Sequence, residues 1–232
     1  MSLPILVLLP GLDGTGKNFQ PLLDALPPSQ QTLIIRYGSE PHDLLALVAE
    51  VRKQLPSSDH LLIAESFSGP VAIALASQAP PGCVGLVLVA TFVRFPLRLP
   101  RVLPQVLARV MFAIPPPHWA LRLLLLGGSR DTKLVGEVAA SISETSSAAL
   151  AQRLRLLTTV DVRPAFATVE LPTLYLQATN DRVVPAHNLR DLQEIRSELS
   201  VGQIEAPHLV LQCEPVAAIE LIQSWWTRES LG

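Results

Sequence analysis

Six short apolar runs punctuate the chain, at residues 3–9, 31–36, 60–65, 84–90, 173–178 and 200–205. Those at 3–9, 60–65, 84–90 and 173–178 are largely apolar at successive positions instead of every second one, the pattern of strands buried on both faces. Between them, near 18–26, 41–55, 67–78, 186–197 and 215–228, the chain reads as helical. Strand and helix therefore alternate. That rhythm predicts an α/β fold: a mainly parallel sheet of about six strands, with helices on both faces. Residues 92–164 break the rhythm. Here Phe95-Pro-Leu-Arg-Leu-Pro-Arg-Val-Leu-Pro104, Ile114-Pro-Pro-Pro-His-Trp119 and Leu121-Arg-Leu-Leu-Leu-Leu-Gly-Gly128 predict short amphipathic helices bounded by proline. The organisation expected is a core of 1–91 and 165–232 with a helical insertion of 92–164.

The third run ends in Leu61-Leu-Ile-Ala-Glu-Ser-Phe-Ser-Gly69. A strand that turns abruptly into a helix strains the backbone at the turn, and small residues at Ala64, Ser68 and Gly69 let the two elements approach. Ser66 would project from such a turn at a helix N-terminus, where free N–H groups favour negative charge. Standing alone, Ser66 reads equally well as a capping serine before a buried helix. The order of later residues favours chemistry. Asp181 follows the strand near Thr173 to Ala178, and His208 closes the segment Glu205-Ala-Pro-His208.

Ser66, Asp181 and His208 in that order resemble the triad of the α/β-hydrolases, and the likeness extends from Leu3 to Trp226. The chain departs from the family's Gly-x-Ser-x-Gly, with Ala64 and Ser68 in place of the two glycines, and would be a trimmed version that begins after two edge strands. The resemblance implies Ser66 as nucleophile, His208 as base and Asp181 as the carboxylate that orients it. Asp161 and Glu170 are the alternative acids, and an Asx-turn is the plain reading of Asn180-Asp181. Of the other histidines, His42 and His60 read as surface positions and His187 as too near Asp181 in sequence. His118, with Trp119, is a candidate for lining a substrate channel.

The first run is followed by Pro10-Gly-Leu-Asp-Gly-Thr-Gly16, three glycines in six residues. A backbone that bends its amides towards a ligand needs that freedom. By resemblance the N–H of Leu12 would stabilise the oxyanion together with that of Phe67, and Asp13 would face substrate. The same loop, read as Gly11-Leu-Asp-Gly-Thr-Gly-Lys17, matches the spacing of a phosphate loop and supports a nucleotide-binding rival. Asn18 stands where that motif needs Ser or Thr, and Asp13 would put a carboxylate among the phosphates. A catalytically silent binding module is a third reading.

At 232 residues, 49% hydrophobic and 16% charged, the chain suits one domain with a well-filled core. Two cysteines, Cys83 and Cys213, show no metal spacing, so no cofactor is expected and reduced thiols suit the cytoplasm. No apolar run reaches the roughly 18 residues of a membrane span, and the N-terminus reads as a strand, not a leader. Net charge is −2, yet residues 92–165 carry ten Lys or Arg against four Asp or Glu. Arg94, Arg98, Arg101, Arg109, Arg122 and Arg130 are expected to form a positive field over the pocket. The resulting expectation is a serine hydrolase for carboxylic esters or thioesters with a hydrophobic group under a lid. An anionic handle such as an acyl carrier or CoA would suit the arginines, no nucleic-acid partner is expected, and an acyltransferase on the same fold is the nearest alternative.

Overall fold

A computed structural model describes residues 3–38, 43–97 and 117–231. Six strands form one sheet: β1 (Ile5–Leu9), β2 (Thr32–Ile34), β3 (His60–Glu65), β4 (Cys83–Val89), β5 (Thr173–Ala178) and β6 (Ser200–Ile204). The order is β2-β1-β3-β4-β5-β6, and every neighbouring pair is parallel. The sheet matches the alternation of apolar runs and helices. β3 lies between β1 and β4, with Leu9 opposite Ala64 and Glu65 opposite Val89. The C-terminal ends of β1 and β3 therefore sit side by side, which brings the loop after Leu9 next to the turn at Ser66.

Successive strand residues point to opposite faces, and both faces are buried. On one, Leu62, Ala64, Leu86 and Leu88 pack with α2 (Leu44–Gln54) and α3 (Ser68–Ala76). On the other, Leu61, Ile63, Val87 and Val89 meet α1 (Gln20–Ala25) and the C-terminal helix Pro215–Glu229. In the C-terminal helix the buried set is Ala218, Ile219, Ile222 and Trp225, spaced at helical repeat, so one stripe of the helix covers the sheet. Every residue of α3 is buried, which explains its uninterrupted Ser-Gly-Pro-Val-Ala-Ile-Ala-Leu-Ala.

Between β4 and β5 the described part of the insertion holds α4 (His118–Leu124), α5 (Thr132–Glu144), α6 (Ser147–Thr159) and α7 (Arg163–Ala167). Its two ends are stitched together where the Val162 N–H donates to the Val93 carbonyl at 2.8 Å. A separate apolar cluster of Leu126, Leu134, Val135 and Val138 packs against Leu209, and so fixes α5 beside His208. The expected helices at residues 98–116 lie outside the described residues. No described helix is long and apolar enough to cross a membrane.

Candidate active site

Ser66 has φ 52°, in the left-handed region that non-glycine residues seldom occupy. What holds it there is packing. Gly69 lies so close to Thr91 that an added Cβ would come within 2.6 Å of its Cγ2 and 2.7 Å of its Cβ. Thr91 Oγ1 also donates to the Ser66 carbonyl at 2.5 Å. The turn is thus clamped between β4's end and the first turn of α3, and the Ser66 side chain is left partly exposed.

His208 lies on the loop after β6, and its Nε2 sits 2.8 Å from Ser66 Oγ. Its Nδ1 sits 2.7 Å from Asp181 Oδ2, and both of these side chains are almost wholly buried. The other carboxylate oxygen of Asp181 accepts from the Val183 and Val184 N–H groups at 2.7 and 2.8 Å. The Asx-turn and the histidine contact therefore coexist, one on each oxygen. Asp161 instead pairs with Arg163.

A cavity of about 310 Å³ opens at this line of groups. Leu121, Leu125, Val138, Ile142, Leu154 and Leu157 bring its apolar wall from the insertion, while Gly11, Leu12, Asp13, Ser66 and Phe67 line it from the core. Among the described residues, no hydrogen-bond acceptor takes the Leu12 or Phe67 N–H. Asp13 is buried and faces the cavity, with its Oδ2 occupied by the Thr15 N–H and hydroxyl at 3.0 and 2.5 Å.

Several expectations require correction. Trp119 is 69% exposed and His118 is exposed too; neither lines the cavity, because Leu121 and Leu124 supply the inward face of α4. His60 is fully buried at the start of β3, with Nδ1 2.9 Å from the Ser58 carbonyl. Arg94 does not contribute free charge: it forks onto Asp191 with two contacts of 3.0 Å, a partner 97 residues away and so invisible in the local run of arginines. Arg98, Arg101, Arg109 and His42 lie outside the described residues. Lys17, the lysine of the phosphate-loop reading, turns outward to Glu144 on α5.

Two residues at the site were missed. Ser68, chosen only for its size, donates its hydroxyl to the Pro10 carbonyl and contacts the Tyr37 hydroxyl, which ties the turn to the loop after β1. Arg153 is buried on α6 and bonds to the same loop. Its signal was legible: in Leu150, Arg153, Leu154 and Leu157, a charge interrupts an apolar stripe of helical spacing.

Residues 30–204 match the family model described as serine aminopeptidase, S33. The chain belongs to this family of α/β-hydrolases. The esterase EaEST from Exiguobacterium antarcticum superposes with a TM-score of 0.84 at 17% identity, covering 97% of this chain and 92% of that one. An enol-lactonase from Burkholderia xenovorans LB400 gives 0.81 at 17% identity, over 98% and 92%. In sequence the chain is 27% identical to the biotin biosynthesis bifunctional protein BioHC of Cellvibrio japonicus, over 97% of its own length and 48% of that protein's. It thus spans about half of that relative.

One ionisable group in this chain has an unusual titration. Glu65, buried beside Ser66, has its carboxyl pushed up to about 7 by burial, opposed in part by the Gln212 amide that donates to it at 3.0 Å and by His208 nearby. Unfolded, it should ionise near the ordinary 4.5. Between those values the unfolded chain releases a proton that the folded one keeps, so stability falls as pH rises across the window and is level above it. Glu65→Gln, which cannot ionise, is expected to show no gain at pH 4. By pH 8 its advantage over wild type should grow to on the order of 3 kcal/mol. Thermal unfolding at the two pH values checks this, and an equal difference at both would refute it.

Proposed function

We propose that this hydrolase cleaves carboxylic esters or thioesters through an acyl-enzyme on Ser66. The observation that carries the reading is the hydrogen-bonded line Ser66 Oγ, His208 and Asp181 at the mouth of an apolar cavity. Ser66 Oγ attacks the carbonyl carbon while His208 Nε2 takes its proton, and Asp181 stabilises the imidazolium through Nδ1–H. The carbonyl oxygen becomes an oxyanion, held by the Leu12 and Phe67 amides. As the intermediate collapses, His208 returns the proton to the departing alcohol or thiol. Water, deprotonated by His208, then attacks the acyl carbon and frees the acid and Ser66.

The insertion acts as a lid in this reading, and its leucines seat a hydrophobic acyl or alcohol group. The family description also raises peptide cleavage at a free N-terminus. That reaction needs a free carboxylate for the substrate ammonium. Asp13 is engaged through Oδ2 by Thr15, and the described cavity lining from the insertion carries no carboxylate, so esters are favoured. With p-nitrophenyl esters of graded chain length, we expect kcat/KM to peak at medium chains and fall at the longest, with aminoacyl p-nitroanilides slow by comparison. A serine-directed phosphonate should add once, on Ser66. A mass-spectrometric adduct on another residue, or faster anilide than ester cleavage, would overturn the reading. The relative named for biotin biosynthesis supports a natural ester from that route. In a host disabled in a hydrolytic step of biotin synthesis, this chain should restore growth only with Ser66 intact.

A further inference from the structure

We infer that Arg153 is a positioning residue for the reaction: from the insertion it locks the peptide planes of the loop after β1, and so holds the Leu12 amide where the oxyanion forms. The inference rests on the acyl-enzyme reading above. Arg153 Nη1 donates to the Asp13 carbonyl at 2.7 Å and to the Leu12 carbonyl at 3.0 Å, and Nη2 donates to the Gly38 carbonyl at 3.0 Å. In a trans peptide the C=O and the following N–H point in opposite directions. Holding the Asp13 carbonyl therefore aims the Gly14 N–H, which donates to the Gly11 carbonyl at 3.1 Å. Holding the Gly11 carbonyl in turn aims the Leu12 N–H the other way. Arg153 thus reaches the Leu12 amide through two peptide planes.

Other contacts close the system. Thr145 Oγ1 donates to the same Asp13 carbonyl at 2.8 Å, and Ser68 donates to the Pro10 carbonyl. All four carbonyls of residues 10–13 are engaged, so none of these planes turns without breaking a hydrogen bond. The guanidinium also lies over the Tyr37 ring, 5.5 Å from its centroid, and Tyr37 in turn contacts Ser68. Gly14 is shaped to this arrangement. It has φ 70°, and a Cβ there would come within 2.7 Å of Arg153 Cζ. Only a planar fork spans three carbonyls from one side; a lysine ammonium in the same place reaches fewer and fixes none in direction. Since α6 belongs to the insertion, its seating is coupled directly to the oxyanion site.

An arginine that merely anchors α6 would alter stability and leave the chemical step alone. We would compare wild type with Arg153→Lys, Arg153→Met and Thr145→Val, using the best p-nitrophenyl ester and an alkyl trifluoromethyl ketone. Ser66 Oγ adds to the ketone carbonyl, whose oxygen becomes the oxyanion, so ketone affinity reports on the two amides. For the Arg153 variants we expect kcat to fall about 10- to 100-fold, with KM within about threefold of wild type. Ketone affinity should fall in step with kcat/KM. Thr145→Val should follow the same line with a smaller loss, and it keeps the question answerable if Arg153→Met does not fold. Methylguanidinium should restore part of the rate to Arg153→Ala, while methylammonium should not. Wild-type kcat and ketone affinity in folded Arg153 variants, with only a lower Tm, would overturn the inference. Failure of wild type to be labelled at Ser66 would instead refute the acyl-enzyme reading on which it rests.

Discussion

Ser66→Ala and His208→Ala are each expected to lower kcat by on the order of 10⁴-fold or more, with folding intact and the double variant hardly worse than either single one. Non-additivity follows because the serine is a weak nucleophile until the imidazole takes its proton, so losing either disables the same step. Asp181 allows a sharper test. Its Oδ1 is fixed by two backbone N–H groups, which leaves only the other position for His208. In Asp181→Asn those N–H groups should hold the amide oxygen, and so turn the NH₂ towards Nδ1. Two donors would then face each other unless His208 switches tautomer, and the switched tautomer presents N–H to Ser66 instead of a lone pair. Asp181→Asn should therefore cost on the order of 10⁴-fold, at least as much as Asp181→Ala. Steady-state ester hydrolysis, with circular dichroism to check folding, measures all five variants. Near-wild-type activity in Ser66→Ala would remove the basis of the proposed mechanism, and an Asp181→Asn variant clearly more active than Asp181→Ala would show that the two N–H groups do not set the amide's direction.

What the sequence disclosed depended on the range over which each signal acts. The strands were legible because burial on both faces demands uninterrupted apolar residues, as in Leu61 to Ala64, and the sheet is wholly parallel as that pattern implies. The turn at Ser66 was legible because a strained strand-to-helix junction restricts side-chain size within five residues. His118 and Trp119 misled because composition marks a segment as lining a pocket without saying which side of a helix faces in. The arginine field was overstated for a related reason: Asp191 lies far from Arg94 in sequence and beside it in space. Ser68 shows the limit most clearly. Its small size suits the turn, but the recipient of its hydroxyl proton, Pro10, is 58 residues earlier and is fixed only once β1 and β3 pair.

Gly69→Ala is expected to be the most damaging single-methyl change in the core. The new Cβ would overlap the Thr91 side chain from within the first turn of α3, and neither side can yield freely. α3 is buried along its length, and Thr91 is held by its hydrogen bond to the Ser66 carbonyl. Overpacking of this kind costs about 1–3 kcal/mol. Here the strain falls on the peptide that sets Ser66 at φ 52°. A shift of about 1 Å in the nucleophile can cost on the order of 10²-fold in rate, so kcat should fall by that order even in the fraction that folds. Thr91→Ala alone removes one hydrogen bond, worth about 1 kcal/mol. Combined with Gly69→Ala it also removes Oγ1 and Cγ2, two of the three nearest atoms, and only the Thr91 Cβ contact stays tight. The double variant should therefore regain part of both Tm and kcat relative to Gly69→Ala. A double variant no better than Gly69→Ala would show that Thr91 is not what requires glycine at this position.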